Sequence, residues 1–370
     1  MLAVVQGAAA LVLLWRLLPG IRRLPPVRPL KQPITDTTVS VIVPTLNEAG
    51  RLGPCLAGLS RQGPPLAEVI VVDSGSTDGT HALVEAAAKL DPRIRLERDP
   101  ALPPGWIGKV WALQHGLSLA RGEYILGVDA DTEANEGMVA AIIAAARAHD
   151  LALVSFSPMF AGQTSWERWL QPALLVTLVY RTGAPEPAPP PARLLANGQC
   201  FLVRRATLLE HGGYAPARAS FADDVFLARH YARKGVRCGF LDGSQLYRVR
   251  SYRSASHMWR EWGRSIDLAD TMTRGRQLLD VLFLFLVQAA PLVALAWASL
   301  APLPRTLVAI NLLLMSVRLS LLVAIGGSYE RRGLPYILSW LADSAAVFRV
   351  AWSTFRRPVS WRGRAYRDLA

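Results

Sequence analysis

GEYILGVDADTEAN, residues 122–135, ends an apolar run with two aspartates. Residues 124–128 have the composition of a buried β-strand, and Asp129 and Asp131 follow it with Ala130 between them. No lysine, arginine or histidine lies within this stretch to neutralise the pair. Because alternate residues of an extended strand point the same way, we expect both carboxylates to aim at one point and Ala130 to face away.

Two unpaired carboxylates side by side repel each other and raise each other's pKa, and a divalent cation removes that penalty. Mg²⁺ is commonly held by one or two carboxylates together with substrate phosphates. The pair therefore predicts a bridge from the protein through a metal ion to a diphosphate. The alternative is that the two acidic residues simply lie in a solvated turn. This interpretation is less favoured because other polar strand ends lie nearby in the predicted sheet.

The region around this stretch alternates strands and helices, which predicts an α/β fold with a mostly parallel sheet covered on both faces. Ligands of such sheets bind beyond the carboxyl ends of the strands. PTLNE (residues 44–48) and VVDSGSTDGT (residues 71–80) close two further strands with polar residues. A dinucleotide-binding fold is disfavoured, because the sequence contains no G-x-G-x-x-G at these positions.

Each of these polar stretches has a functional and a structural interpretation. Pro44 and Glu48 belong either to a ligand-binding turn or to a turn in which Asn47 caps the next helix. Asp73 is expected to accept a hydrogen bond from a nucleobase or ribose, while the serines and threonine after it are able to cap a helix. Lys109, in the loop-to-helix stretch PPGWIGK, is either a phosphate contact or a solvated lysine.

Composition places this fold beside a membrane. The chain has 370 residues, 51% of them hydrophobic, and a formal net charge of +13. The basic residues crowd next to apolar runs, which favours anionic lipid headgroups over nucleic acid as the partner. Three widely spaced cysteines predict free thiols and exclude a zinc pattern or a disulfide framework.

Three apolar segments are long enough for a membrane helix, which needs about 20 residues. Residues 1–20 form an N-terminal anchor, and the basic residues that follow it predict an outside N-terminus. Residues 278–326 form a helical hairpin in which Arg318 must face a protein partner or a polar cavity. Residues 335–370 have basic flanks and internal charges, so we expect an interfacial helix with a basic tail. The chain is thus predicted to be a multi-pass inner-membrane protein with a cytoplasmic catalytic domain.

The motifs taken together resemble those of family 2 glycosyltransferases with the GT-A fold. VSVIVPTLNE (39–48), VIVVDSGSTDGT (69–80) and YILGVDADT (124–132) match the first three signatures of that family in order and spacing. The loop GWIGKVWAL (105–113) is similar to the membrane-bound branch of hopene-associated and carotenoid glycosyltransferases. The resemblance implies a Rossmann-like GT-A domain over residues 36–270.

The resemblance also implies a second acidic pair, whose second carboxylate acts as the catalytic base. In SFADDVF, Asp223 replaces the usual glutamate and Asp224 matches the base, although the sequence does not separate the two. A sugar or lipid hydroxyl needs such a carboxylate, because it is a poor nucleophile until its proton is accepted. Asn197, Gly198 and Gln199 match the family segment that lines the acceptor side.

Two stretches depart from the family or stay ambiguous. HMWREWGRS occupies the place of the Q-x-x-R-W motif of processive members, so single-sugar addition is favoured over polymer synthesis. Trp259, Trp262 and Arg264 in this stretch are expected to close over the diphosphate. Residues 165–180 are rich in tryptophan, which favours a helix in the membrane interface over the acceptor site, with a buried core helix as the alternative.

The predicted reaction is an inverting, metal-dependent transfer of one sugar from a nucleotide-diphosphate donor, with a UDP-hexose expected, to a lipid hydroxyl. The acceptor is expected to be isoprenoid, carotenoid or hopanoid-like. Asp131 is assigned to Mg²⁺ or Mn²⁺, and Asp129 to the ribose or the metal. Pro44, Glu48 and Asp73 are assigned to the nucleoside. The alternatives are a polyprenyl-phosphate sugar synthase, whose acceptor needs no base, and a non-catalytic membrane scaffold.

Overall fold

The computed structural model describes residues 1–250, 252, 254–265, 268, 271–355, 360, 361 and 364–366, with backbone only at 262–265, 360, 361, 364 and 365. Most of the predicted basic tail lies outside these residues. The chain forms two compact units, each built from three separate segments. The α/β unit comprises Leu24–Phe160, Pro185–Arg250 and Val359–Ala370, and the helical unit comprises Met1–Arg23, Ala161–Ala184 and Ser251–Pro358. Two parts of the predicted range 36–270, residues 161–184 and 251–270, thus belong to the helical unit.

The described strands share short lengths and, in the main sheet, high burial. In chain order they are β1 Val39–Thr45, β2 Leu66–Asp73, β3 Ile94–Arg98, β4 Tyr124–Gly127, β5 Thr132–Ala134, β6 Leu153–Ser157, β7 Met159–Phe160, β8 Phe201–Arg204, β9 Cys238–Asp242, β10 Tyr247–Val249, β11 Ser360–Trp361 and β12 Arg364–Ala365.

The described α-helices alternate with these strands in the α/β unit and follow one another in the helical unit. They are α1 Leu2–Leu17, α2 Ala49–Ser60, α3 Thr80–Leu90, α4 Gly108–Leu119, α5 Met138–Ala148, α6 Ser165–Thr182, α7 Arg205–Glu210, α8 Asp223–Arg233, α9 Ala255–Ser265, α10 Arg274–Leu284, α11 Ala290–Ala298, α12 Arg305–Ile325, α13 Gly333–Ile337 and α14 Asp343–Phe355.

The main sheet has seven strands in the order β3-β2-β1-β4-β8-β6-β9. β3, β2, β1 and β4 are parallel, β8 is antiparallel to both of its neighbours, and β6 and β9 are parallel. A mostly parallel α/β sheet, as predicted, is confirmed. Thr45 at the end of β1 is in register with Asp73 at the end of β2, so two of the predicted polar strand ends lie side by side.

The sheet is covered on both faces because its central strands direct apolar side chains to both sides. Along β1, Val41 and Val43 pack into the core under α2 and α5, whereas Ile42 packs into the opposite core under α4 and α8. Such continuous β-branched runs are typical of parallel strands buried on both sides. The three cysteines of the chain are free and buried, as predicted.

The helical unit contains the three predicted apolar segments. Leu2–Arg22, Arg274–Ala298 and Arg305–Ser328 are long and apolar enough to cross a membrane. A π-helical turn at Phe285–Ala289 joins α10 to α11 within the second of them. The third segment contains Arg318, whose side chain is 3% exposed.

Arg318 has the protein partner that its position requires. Its Nε lies 2.7 Å from Oδ2 of Asp343, and its Nη2 donates to Oδ1 of the same carboxylate at 3.0 Å. Gln288 donates to that carboxylate as well, at 3.2 Å. The expectation for Arg318 is confirmed, because a charge buried among apolar helices is stable only when it is paired and hydrogen-bonded.

A second buried polar contact joins the first and last candidate spans. The amide of Gln6 donates to Oδ1 of Asn311 at 2.8 Å, and the amide of Asn311 donates back to Oε1 of Gln6 at 3.0 Å. Both side chains are 2% exposed or less. Each amide thereby satisfies hydrogen-bonding groups that would otherwise be costly in an apolar surrounding.

Two predictions for the helical unit are corrected. Residues 336–355 do not form one helix, because a 3₁₀ turn at Leu338–Ala342 separates α13 from α14 and brings Ser339 within 3.4 Å of Arg318. Helix α6 is largely buried in this unit, with Leu174 and Tyr180 fully enclosed. The buried core helix, and not a helix lying in the interface, is therefore the better description of α6, although Trp166 stays 61% exposed.

We expect Gly58→Ala to destabilise the α/β unit. A Cβ at Gly58, in α2, would lie 2.9 Å from both the N and the O of Ala134 in β5, and backbone atoms cannot yield as a flexible side chain does. The cost should be about 1–3 kcal/mol, the range for overpacking, despite the better helix propensity of alanine. The measurement is the unfolding free energy in denaturant.

The control for this substitution adds one heavy atom at the preceding position of the same helix. Ala57 is exposed, so Ala57→Ser should cost only its helix-propensity difference, about 0.5 kcal/mol. Equal stability of Gly58→Ala and the wild type would contradict the close approach of α2 to β5.

Candidate active site

The ends of β1 and β2 are joined by hydrogen bonds between their loops. Asn47 adopts a left-handed backbone conformation with φ 56°, and its backbone N donates to Oγ of Ser76 at 2.8 Å. Its side-chain oxygen accepts from the backbone N of Thr77 at 2.9 Å. The N of Ala49 donates to Asp78 at 3.0 Å. Asn47 therefore links the two loops and does not cap α2, whose N-cap Glu48 has no side-chain cap.

Asp73 lies at the end of β2 with a fully buried carboxylate. Its Oδ2 accepts from the N of Gly75 and the N of Ser76, each at 2.9 Å, and contacts Nε2 of His81 at 2.7 Å. Its Oδ1 accepts from the hydroxyls of Ser76 and Thr45. Burial alone would raise the pKa of the Asp73 carboxyl, but hydrogen bonds from Ser76 and His81 outweigh it and lower the pKa.

The hydrogen-bond donors around Asp73 give this residue a structural role in addition to the predicted nucleoside contact. Both carboxylate oxygens accept hydrogen bonds from the protein itself, so Asp73 organises the loop, and its hydrogen bond to a nucleobase or ribose stays a prediction. Pro44 is half-buried within β1, and Glu48 is 7% exposed and paired with Arg51 at 2.8 Å. The sequence did not predict the contact of His81 with Asp73. A histidine in a helix eight residues later gives no sign that its side chain reaches the Asp73 carboxylate.

Asp129 and Asp131 lie in a turn and not on the strand. β4 ends at Gly127, and the N of Thr132 donates to the O of Asp129 at 3.0 Å, which closes a four-residue turn. The extended geometry predicted for the pair is therefore wrong. Ala130 faces away as predicted, since it is 3% exposed and packs in the core.

Asp129 is paired, contrary to the prediction from its local sequence. Nζ of Lys109, in the first turn of α4, lies 2.8 Å from Oδ1 of Asp129. The two side chains are 17% and 29% exposed. Burial alone would lower the pKa of the Lys109 ammonium, but Asp129, Asp223 and Asp224 outweigh it and raise the pKa. Lys109 is thus neither solvated nor remote from the acidic residues.

The loop of Asn197, Gly198 and Gln199 connects the two acidic pairs. The N of Gly198 donates to Oδ2 of Asp224 at 2.7 Å, and Nε2 of Gln199 lies 3.5 Å from Oδ1 of Asp131. Asn197 holds Gln199 in place through two hydrogen bonds of 3.0 Å. The predicted acceptor-side segment therefore lies between the first acidic pair and the second.

Asp223 and Asp224 occupy the first turn of α8, where the helix dipole favours negative charge. Asp223 is 7% exposed, whereas Asp224 is more accessible. Burial raises the pKa of both carboxyls, and the positive charge of Lys109 opposes the increase in each. Asp224 is held by the N of Gly198 and by the N of Val225 at 2.7 Å, so its orientation is fixed while one face stays open.

The chemistry of the first pair fits a divalent cation shared with a ligand. Within the described part of the chain no three His, Cys, Asp or Glu side chains are grouped to bind a metal by themselves. One or two carboxylates, completed by substrate phosphates, are the usual protein share of a Mg²⁺ site. The ammonium of Lys109 contacts the Asp129 carboxylate, so a cation is already bound at Asp129. Asp129 and Asp131 therefore fit Mg²⁺ or Mn²⁺.

Three predicted residues belong to the helical unit. Trp259 lies in α9, half-buried, with its carbonyl accepting from Nε of Arg349 at 2.5 Å. The side chains of Trp262 and Arg264 lie outside the described atoms. Their predicted closure over a diphosphate stays a prediction.

Comparison with known proteins finds a glycosyltransferase family that much of the α/β unit resembles. Residues 40–212 match the family model described as Glycosyl transferase family 2. A 4,4'-diaponeurosporenoate glycosyltransferase of Staphylococcus haemolyticus is 26% identical over 222 residues, which cover 60% of this chain and 58% of that protein. Glycosyltransferase GlyG of Streptococcus pneumoniae is 34% identical over 101 residues, covering 27% of this chain and 32% of that protein. The matches span less than two thirds of either relative.

A solved structure shares the fold over nearly the whole chain. The mannosyltransferase PcManGT from Pyrobaculum calidifontis, in complex with GDP-Man and Mn²⁺, aligns with a TM-score of 0.60 at 24% identity. The alignment covers 96% of this chain and 97% of that one. The predicted family and the predicted GT-A fold with flanking apolar helices are confirmed.

We expect Asp73→Asn to destabilise the α/β unit by about 1–3 kcal/mol at neutral pH, because several donors lose a charged acceptor. The pKa of Asp73 is lowered on folding from its ordinary value of 3.8, so its stabilisation is present above that value. The stabilisation is lost as pH falls through the lower, folded-state pKa. The measurement is the unfolding free energy of both proteins between pH 7 and pH 3.

The control is Asp150→Asn, whose carboxylate is 80% exposed and should leave stability unchanged. The difference between the wild type and Asp73→Asn should shrink at the acid end of the series. A difference that stays constant with pH would contradict a charged Asp73 as the centre of the loop.

Proposed function

We propose that this chain, which carries a family 2 glycosyltransferase domain, transfers a single sugar from a nucleotide-diphosphate donor to a hydroxyl of a membrane lipid. One observation carries the proposal. One cluster of side chains in the α/β unit, which we propose as the active-site cleft, has Lys109 and Asp129 on one side of Gly198 and Asp224 on the other. A cation-binding pair beside an accessible carboxylate is what sugar transfer to a hydroxyl requires.

The donor is proposed to lie across the ends of β1, β2 and β4. The loop that Asp73 organises, together with Pro44 and Glu48, faces the nucleoside, for which a UDP-hexose is our expectation. Asp131, with Asp129, would hold Mg²⁺ or Mn²⁺, which supplies positive charge to the departing diphosphate. The solved complex of PcManGT with GDP-Man and Mn²⁺ supports this assignment by likeness of fold.

Lys109 is proposed to neutralise the same leaving group. Its ammonium is held at the amino end of α4, where the backbone N–H groups and the helix dipole also favour an anion. Fixed positive charge in a partly buried site stabilises the charge that develops as the glycosidic bond breaks.

Asp224 is proposed to act as the base. It is more accessible than Asp223, and burial raises its pKa, which makes its carboxylate a stronger proton acceptor. Asp223 is buried beside it and contributes negative charge. Attack of the hydroxyl on the face opposite the diphosphate inverts the anomeric carbon. Asn197, Gly198 and Gln199 border the path of the acceptor.

A lipid acceptor is supported by the helical unit. It contains three candidate membrane spans and an apolar cavity of about 790 Å³, lined by residues of these spans such as Leu282, Phe285 and Val293. Ligand cavities of proteins measure roughly 300–1,000 Å³, so a hydrocarbon chain fits. The relative from Staphylococcus haemolyticus, named for diaponeurosporenoate, supports an isoprenoid or carotenoid class. We place the protein in the inner membrane with the catalytic unit on the cytoplasmic side.

Two other functions give different results in one experiment. A polyprenyl-phosphate acceptor is already an anion, so its glycosylation would not need Asp224. A non-catalytic scaffold would transfer no sugar at all. The contacts that hold Asp224 through Gly198 favour a working base over both alternatives.

We expect Asp224→Asn to lower lipid glycosylation by about a hundredfold or more, the usual contribution of a general base, while donor binding persists. Membranes that contain the protein are incubated with a panel of radiolabelled nucleotide sugars and Mn²⁺ or Mg²⁺, and the lipids are extracted. Label in the organic phase identifies the donor sugar and the acceptor class together. Asp150→Asn, with an exposed carboxylate, is the matched control and should retain activity.

Transfer at wild-type rate by Asp224→Asn, with an alkali-stable but mildly acid-labile lipid product, would favour the polyprenyl-phosphate alternative. No transfer from any nucleotide sugar by the wild type would favour the scaffold.

A second prediction concerns the apolar cavity. Ala294 lines the cavity, whereas Ala296, on the same helix α11, is exposed and does not line it. Ala294→Trp should raise the KM for the lipid acceptor several-fold without changing donor affinity, because an indole occupies space that the hydrocarbon chain needs. Ala296→Trp is the control. Equal acceptor KM for both variants would exclude this cavity as the acceptor's binding place.

A further inference from the structure

We infer that Lys109 is a resident cation of the acidic cluster and makes the binding of a divalent ion depend on the presence of the donor. The inference rests on the proposed function, because the donor's diphosphate is the group that releases Lys109 from Asp129. It assigns to Lys109 a second task, which precedes any contact with the leaving group.

The contact that supports this task is direct. Nζ of Lys109 lies 2.8 Å from Oδ1 of Asp129, one of the two carboxylates that fit the metal. With Asp129 only 29% exposed, the pair is partly withdrawn from water. Charge-assisted contacts of this length are stronger than neutral hydrogen bonds, so a divalent ion must displace an ammonium already in place.

The position of the ammonium is set by the absence of a side chain at Gly198. A Cβ at Gly198 would lie 2.7 Å from Nζ of Lys109 but 3.7 Å from Oδ2 of Asp224. The ammonium therefore packs against the backbone of Gly198, between the two acidic pairs. Any larger residue at 198 would push Nζ away while leaving Asp224 in ordinary contact.

Displacement of Lys109 has different consequences with and without a nucleotide. A divalent ion that enters alone leaves the ammonium without its partner and adds a second positive charge nearby. A diphosphate supplies a new anionic partner for the ammonium, so the ion gains Asp129 without that loss. Ion and donor should therefore bind cooperatively, with a coupling of about tenfold, within the usual range for linked sites.

The test is Mn²⁺ binding to the full-length protein in detergent or nanodiscs, measured by calorimetry or by the EPR signal of free Mn²⁺, without nucleotide. Lys109→Met should bind Mn²⁺ about tenfold more tightly than the wild type. Lys109→Arg keeps the charge and should retain the weak wild-type affinity. Lys89→Met removes an exposed lysine and controls for net charge.

Gly198→Ala tests the geometry without removing the charge. Its methyl group would lie only 2.7 Å from the present position of Nζ and should displace it, so Mn²⁺ should bind this variant more tightly than the wild type, as with Lys109→Met. Asp131→Asn combined with Lys109→Met should lose the gain, which assigns the bound ion to this cluster.

A repeat of the titrations with UDP and with GDP completes the design. The nucleotide should tighten Mn²⁺ binding to the wild type about tenfold and should have a smaller effect on Lys109→Met. Mn²⁺ affinity of Lys109→Met and Gly198→Ala at or below the wild-type value would overturn the inference. If these variants bind Mn²⁺ tightly while no nucleotide binds the wild type, the resident cation stands and the proposed function fails.

Discussion

Four carboxylates in one partly buried cleft need positive charge nearby, and Lys109 supplies it from the first turn of α4. Its pairing with Asp129 at 2.8 Å compensates the first acidic pair, and its field opposes the rise in pKa of Asp223 and Asp224. Without this charge, the two pairs would repel each other and favour protonated, inactive forms. The position of one ammonium thus links the side of the cleft assigned to the donor with the side assigned to the acceptor.

The fold places these groups through strand register and close backbone packing. Parallel β1 and β2 end side by side at Thr45 and Asp73, and the hydrogen bonds around Asp73 hold their loops together. Helix α2 approaches β5 so closely at Gly58 that only a hydrogen atom fits, which supports the turn of Asp129 from behind. The chemistry of the cleft therefore depends on backbone geometry that the reacting side chains do not themselves determine.

Much of this arrangement follows from the sequence, because β-branched runs and polar strand ends obey local rules. The strands, the α/β class, the three apolar helices and the need of Arg318 for a partner were all predictable in this way. The pairing of Lys109 with Asp129 was not, since the two are 20 positions apart and only the packing of α4 against β1 and β2 brings them together. The turn at Asp129 was not predicted either, although a local hydrogen bond from the N of Thr132 closes it. Asp73 has local donors at Gly75 and Ser76, but the contact from Thr45 depends on the pairing of β1 with β2. The burial of α6 was ambiguous, because tryptophans suit a membrane interface and a protein core equally well.

The reciprocal amide pair of Gln6 and Asn311 has a consequence for biosynthesis. The two residues are 305 positions apart, so α1 is made long before its hydrogen-bonding partner. At the ribosomal rate of about 5–20 residues per second, Gln6 waits roughly 15–60 s for Asn311. During that interval its amide must be satisfied by water, a chaperone or the insertion machinery. A chain truncated before α12 would lose the reciprocal pair with Asn311 and leave the Gln6 amide with only its contact to the O of Leu286.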